Sequence, residues 1–67
     1  MPSPHRSDLI DISVTLVHQT ERAVLVDHGG AENVWVPKSL CEIERDANGK
    51  TWTLTLPERV AQEKGLI

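Results

Sequence analysis

The chain has 67 residues with ten acidic residues against seven basic ones, a formal net charge of −3 and a single cysteine. This length allows one domain, which buries only about 60% of the surface that its unfolded chain exposes. One cysteine excludes an intramolecular disulfide, and with three histidines it gives no zinc-ligand set at a recognised spacing, so no metal or cofactor is predicted. The acidic balance argues against a general binder of the phosphate backbone. Dimerisation is an open way to bury more apolar surface.

The N-terminal residues 1–8 combine two prolines and two serines with no apolar residue after Met1. Such a segment cannot offset the entropy of ordering, so we predict a disordered tail over 1–8 and one domain over 9–67. The start of the chain lacks the apolar core of a signal peptide, and no stretch approaches the roughly 20 apolar residues of a membrane span. We therefore expect a cytoplasmic protein.

Strict alternation of apolar and polar residues begins at Leu9 and predicts a first strand with one wet face. Ile10, Ile12, Val14 and Leu16 share one face. A polar break at 19–22 has the length of a hairpin loop, and residues 23–26 are apolar on both faces, which is typical of a central strand. The first two strands should pair antiparallel, with residues 27–30 as the next turn.

A third strand is predicted at 34–36, and the following residues 37–39 read as a short 3₁₀ turn, since proline cannot donate a ladder hydrogen bond. Alternation resumes at 40–45 and again at 50–56, and Asn48-Gly49 between them is a strong hairpin signal. Trp52 shares a face with Leu54 and Leu56 and is expected in the core.

The C-terminal residues predict a short helix that has Pro57 in its first turn, runs on through Lys64 and stops at Gly65. Thr55 and Glu58 match the spacing of a capping box. Five short antiparallel strands and a terminal helix in so short a chain predict a mainly β fold, an SH3-like barrel, because the connections are too short for an OB-fold.

Side chains that could perform catalysis are few and scattered. His18 and His28 lie near predicted strand ends, where solvated surface histidines are common, and so small a core does not easily surround a substrate. Cys41 alternates with Ile43 and is typical of a small buried apolar residue. We therefore predict no catalytic residue and no enzymatic activity.

Trp35 is a candidate contact residue, because Val34 and Val36 take the opposite face of its strand and only one face can point fully inward. The sequence leaves open whether the Trp35 indole is buried or exposed. An exposed tryptophan beside Lys38 and Arg22 could stack on the bases of single-stranded DNA or RNA. Two cations among ten carboxylates form a weak basic site, however.

Glu42, Glu44 and Asp46 occupy alternate positions and should line one face of the fourth strand, about 6.6 Å apart. One interpretation is a charged strand edge that prevents aggregation. The other is an acidic stripe that contacts a basic groove on a partner protein. Arg45 should point to the opposite face.

Three segments resemble a group of short bacteriophage and prophage proteins: TERAVLV at 20–26, VWVPKS at 34–39 and the ending EKGLI at 63–67. The resemblance implies a mobile-element protein acting in a bacterial host, where small acidic domains often inhibit defence enzymes, as anti-CRISPR proteins do. On this basis we expect a non-enzymatic inhibitor of a host nucleic-acid-handling complex. The resemblance supplies no functional residue, so its candidate contact residues come from the alternation and charge described above: Glu42, Glu44, Asp46, Trp35 and Lys38. The alternative is a single-stranded DNA- or RNA-binding accessory factor of phage replication or recombination.

Overall fold

The structure is a computed structural model that describes residues 8–67. Within them the elements are β1 (Leu9–Gln19), β2 (Ala23–Asp27), β3 (Val34–Pro37), a 3₁₀ turn (Lys38–Leu40), β4 (Glu42–Arg45), β5 (Trp52–Pro57) and α1 (Glu58–Glu63). The tail predicted over 1–8 lies outside the described residues except for Asp8, whose carbonyl accepts a hydrogen bond from the Glu58 N–H at 2.7 Å. No helix in the described part is long and apolar enough to cross a membrane.

The five strands form one antiparallel sheet in the order β3-β2-β1-β5-β4. β1 is the central strand because its first half pairs with β5 and its second half with β2. The predicted mainly β fold of five antiparallel strands with a short C-terminal helix is confirmed. The sheet is unclosed in the described chain, with β3 and β4 as its two edges, so these strands do not complete the predicted SH3-like barrel.

A β-bulge lies in the second half of β1, at the point where the strand leaves β5 for β2. Leu16 pairs with Val26 and His18 pairs with Leu25, so Val17 is the extra residue and its side chain is exposed. A bulge bends a strand and increases its twist. β1 can therefore serve two halves of the sheet that face different directions.

The core lies on the inner face of the sheet and is closed at one end by α1. Alternate residues of the strands point into it, as the sequence pattern predicts. Its buried members are Val14, Val24, Val26, Val36, Leu54, Leu56, Val60, Ala61 and Leu66. Trp52, expected in the core, is half-buried and packs against this cluster.

The corner after β3 is confirmed, since Pro37 ends the strand and the 3₁₀ turn follows directly. The Lys38 N–H donates to the Arg22 carbonyl at 2.7 Å, which ties the corner to the loop between β1 and β2. Because Leu40 belongs to this turn, β4 starts two residues later than the alternation at 40–45 predicts.

The C-terminal helix ends before Gly65 as predicted, but Pro57 precedes its first turn instead of lying within it, and the predicted capping box is wrong. Pro57 occupies the N-cap position without a side-chain hydrogen bond, because Thr55 lies within β5 and donates instead to Asp11. At the other end Gly65 has φ +76°, and the Leu66 N–H reaches back to the Ala61 carbonyl at 2.8 Å. This left-handed glycine turn places Leu66 in the core.

Candidate functional site

The outer face of β4, β5 and β1 gathers carboxylates and hydroxyls into parallel rows. Pairing aligns Glu42 with Thr55, and Thr55 in turn with Asp11. The next row runs from Glu44 through Thr53 to Ser13. We call the surface formed by Asp11, Glu42, Glu44 and Asp46 the acidic face.

Glu42 and Glu44 are both exposed, on a strand that within residues 8–67 has a neighbour on one side only. A shallow depression of about 300 Å³ lies between them and β5, lined by Glu42, Ile43, Glu44, Thr53 and Thr55. The Arg45 side chain lies on the other side of the sheet, with its guanidinium carbon 6.0 Å from the centre of the Trp52 ring. The separation of Arg45 from the acidic face is therefore as predicted.

Asp46 belongs to the acidic face but is also bonded within the β4–β5 hairpin. Its two carboxylate oxygens accept hydrogen bonds from the Thr51 hydroxyl at 2.5 Å and the Thr53 hydroxyl at 2.7 Å. These hydrogen bonds favour the ionised carboxylate and lower the pKa of Asp46 below its ordinary value. The bond from Thr51 has the larger effect, and the bond from Thr53 adds to it. Asp46 is thus ionised at neutral pH and also holds the hairpin.

Asp11 completes the acidic face from β1 and was not among the predicted site residues. It accepts a hydrogen bond from the Thr55 hydroxyl at 2.7 Å, which fixes its carboxylate between β1 and β5. The alternation of Asp11 with Ser13 and Thr15 shows from sequence that these side chains are on a wet face. Their position beside Glu42 and Glu44 depends on the pairing of β1 with β5, which the sequence does not reveal.

Trp35 lies on the outer face of the other half of the sheet, away from the acidic rows. Its side chain is 46% exposed, which decides between the buried and exposed positions that the sequence leaves open. The His18 ring meets it edge-to-face, with ring centroids 6.1 Å apart, and Leu25 pairs with Trp35 on the adjacent strand. His18 is the contact that sequence inspection missed, since it reaches Trp35 only across β2.

Lys38 shares a surface groove with Glu42. The groove has a volume of about 480 Å³ and is lined by Leu9, Lys38, Ser39, Leu40, Cys41, Glu42, Thr55, Leu56 and Pro57. The five predicted site residues therefore fall on two surfaces, with Lys38 beside the acidic face and Trp35 on the β1–β3 half of the sheet.

Cys41 is half-buried at the end of the 3₁₀ turn, with its Sγ 3.4 Å from the Pro37 carbonyl oxygen. Burial, and then the neighbouring Glu42 carboxylate, raise the pKa of its thiol, while Lys38 opposes them. A raised pKa reduces the thiolate fraction at neutral pH, and the thiolate is the nucleophile. In residues 8–67 no three side chains of His, Cys, Asp and Glu form a metal-binding group.

No protein-family model, curated protein or solved structure matches this chain. The chemistry of its two exposed surfaces is therefore the basis for assigning a function.

Proposed function

We propose that this chain is a non-enzymatic binding protein whose acidic face docks onto a basic, nucleic-acid-binding surface of a host protein and occludes it. The observation that carries the proposal is the exposure of Glu42 and Glu44 in register with Thr53, Thr55 and Asp11 on one sheet face. An anti-CRISPR-like inhibitor acting in the cytoplasm of a bacterial host is its most concrete form. That form is based on the resemblance to short phage proteins.

The geometry suits a protein surface better than a single ion. Glu42 and Glu44 are on successive outward positions, and the third acidic position, Asp46, keeps its charge through its hydrogen bonds to threonine. Lysine and arginine side chains that normally hold phosphates would meet carboxylates and hydroxyls in their place. Complementary potentials of this kind raise the association rate and select the partner.

The second candidate function, single-stranded DNA or RNA binding, is favoured by the exposure of Trp35 alone. Base stacking on an exposed tryptophan is worth about 1–3 kcal/mol per base. The His18 ring contacts the indole edge-to-face, and Lys38 lines a groove together with Glu42, whose carboxylate would repel phosphates. We therefore place nucleic-acid binding second.

A charge-reversal experiment tests the first proposal. The Glu42→Lys/Glu44→Lys variant should no longer inhibit DNA binding by purified CRISPR effector complexes, or capture the host protein that the original chain captures. Glu21→Lys/Glu63→Lys is the matched control, because it makes the same change of net charge at two exposed positions off the acidic face. Unchanged inhibition by the first variant, or equal loss in both variants, would contradict the proposal.

The second candidate has its own signal in the same protein. If the chain binds single strands, Trp35 fluorescence in a Trp52→Phe background should quench when an oligonucleotide is added at low salt and recover as salt rises. Trp35→Phe with Trp52 intact is the control, since its remaining indole packs against the core. Nucleic-acid binding would become the first candidate function if DNA quenches Trp35 fluorescence and the Glu42→Lys/Glu44→Lys variant still inhibits.

A further inference from the structure

The geometry points to the open edge of β4 as a site of strand addition: we propose that an extended segment of the partner pairs with β4 and carries basic residues opposite Glu42 and Glu44. This inference builds on the proposed function and specifies the partner segment. β4 is the last strand of the sheet, and in the described chain β5 is the one strand that pairs with it.

The hydrogen-bond phase of the β4–β5 ladder shows which backbone groups face outward. The Asp46 N–H donates to the Thr51 carbonyl at 3.0 Å, in register with the pairing of Glu44 with Thr53 and Glu42 with Thr55. Hydrogen-bonded pairs alternate along an antiparallel ladder. The backbone groups at positions 42, 44 and 46 therefore face β5, and the N–H and C=O groups of Ile43 and Arg45 face the open edge.

The other edge of the sheet is less suited to pairing. The Lys38 N–H donates a hydrogen bond to the Arg22 carbonyl, so Lys38 faces β2. Because inward and outward residues alternate along the strand, the backbone groups of Trp35 and Pro37 face the open edge of β3. Pro37 has no N–H to donate. β3 thus offers one outward donor, at Trp35, while β4 offers two.

Charge decides what can occupy the β4 edge. Two copies could pair their β4 strands antiparallel through the outward backbone groups of Ile43 and Arg45. Odd-numbered residues of one copy would then pair with odd-numbered residues of the other, and even-numbered residues with even-numbered ones. Glu42, Glu44 and Asp46 of one copy would then lie opposite the same three carboxylates, and like charges directly opposite destabilise a sheet. The edge therefore disfavours a second copy and favours a strand with lysine or arginine at alternate positions.

The side chains between those cations would lie on the inner side, next to Ile43. Ile43 is half-buried and packs against the core cluster. An apolar residue opposite it would extend the core by one strand. Main-chain hydrogen bonds supply affinity in such strand additions, and alternate side chains supply specificity.

The blocked pentapeptide Lys-Val-Lys-Val-Lys is the probe that tests this inference. Adding it should slow hydrogen exchange of the Ile43 and Arg45 amides, which face outward, while leaving that of Glu44 unchanged. The same peptide with both valines N-methylated keeps the charge but loses the N–H groups that would pair with β4. It should bind at least about tenfold more weakly.

Two variants at one position separate backbone pairing from charge. Arg45→Pro removes an outward N–H and leaves the β5 ladder intact, so it should weaken peptide binding by about tenfold, whereas Arg45→Ala keeps the N–H and should bind as the original chain does. Circular dichroism identifies any variant that has lost its fold, and the N-methylated peptide tests the intact chain in that case.

The outcomes distinguish this inference from the proposed function. If the N-methylated peptide and the Arg45→Pro variant bind fully while Glu42→Lys/Glu44→Lys does not, the acidic face binds and strand addition is wrong. Without peptide, slower hydrogen exchange of the Ile43 amide in concentrated than in dilute protein would show that a second copy occupies the β4 edge. That result would also overturn the inference. Failure of the charge reversal to affect host-protein inhibition contradicts the proposed function separately.

Discussion

Asp46 differs from Glu42 and Glu44, although the three carboxylates occupy alternate positions in the sequence. Its oxygens are held by the hydroxyls of Thr51 and Thr53, whereas the two glutamates are exposed on β4. Both threonines lie across the hairpin from β4, so their bonds to Asp46 connect its two arms. The predicted stripe therefore combines two free contact residues with one that also stabilises the hairpin.

The lowered pKa of Asp46 predicts a specific dependence of stability on pH. Its folded pKa is below the ordinary value of 3.8, so its contribution is complete above that value and is lost as pH falls through the folded pKa. Asp46→Asn keeps the shape but cannot ionise. Urea unfolding at a series of pH values should therefore show that the original chain has a higher free energy of unfolding than Asp46→Asn. This difference should narrow below about pH 3.8. A difference that stays constant down to the acid limit would contradict this role.

The β4–β5 hairpin is the element that presents the acidic face, and its turn fixes the register. The Asn48 side-chain oxygen accepts the N–H groups of Lys50 at 2.8 Å and Thr51 at 3.0 Å, and Gly49 takes φ +74°. A one-residue slip would move every side chain of β4 to the opposite sheet face. The exposure of Glu42 and Glu44 thus depends on turn residues that lie outside the acidic face.

Substitution of Gly49 should show this dependence. Gly49→Ala forces a side chain into left-handed backbone and should cost about 1–2 kcal/mol. The added Cβ would not clash, because it would lie an ordinary 3.8 Å from Arg45 Nη2. Asparagine tolerates this conformation better, so Gly49→Asn should lose less. Thermal unfolding of the two variants measures the order. Equal losses would indicate that the turn adopts another conformation.

At the scale of the whole molecule, the sequence predicts the elements well and their arrangement poorly. Alternation identifies the inward residues of β1 and β5, and Asn48-Gly49 and Gly65 mark turns because few residues accept those backbone angles. Alternation cannot show that β1 lies between β2 and β5, since strands distant in sequence pair through the shared core. For this reason Asp11 and His18 were missed as neighbours of Glu42 and Trp35.

The core that makes these pairings possible is small, which leads to the last prediction. A domain of this size is expected to have a stability of only about 3–10 kcal/mol. Leu54 is fully buried in the centre of β5, with Ile12 and Ile43 on the strands to either side. Leu54→Ala should cost about 2–5 kcal/mol, which is a large share of that stability. Leu40→Ala is the matched control, because that side chain is 43% exposed on the 3₁₀ turn and should cost far less. Urea midpoints measure both variants, and similar losses would mean that the sheet does not pack around Leu54.

Because α1 covers the same core, the helix and the strands of the Leu54→Ala variant should unfold together in one transition. Circular dichroism and tryptophan fluorescence should then give the same urea midpoint.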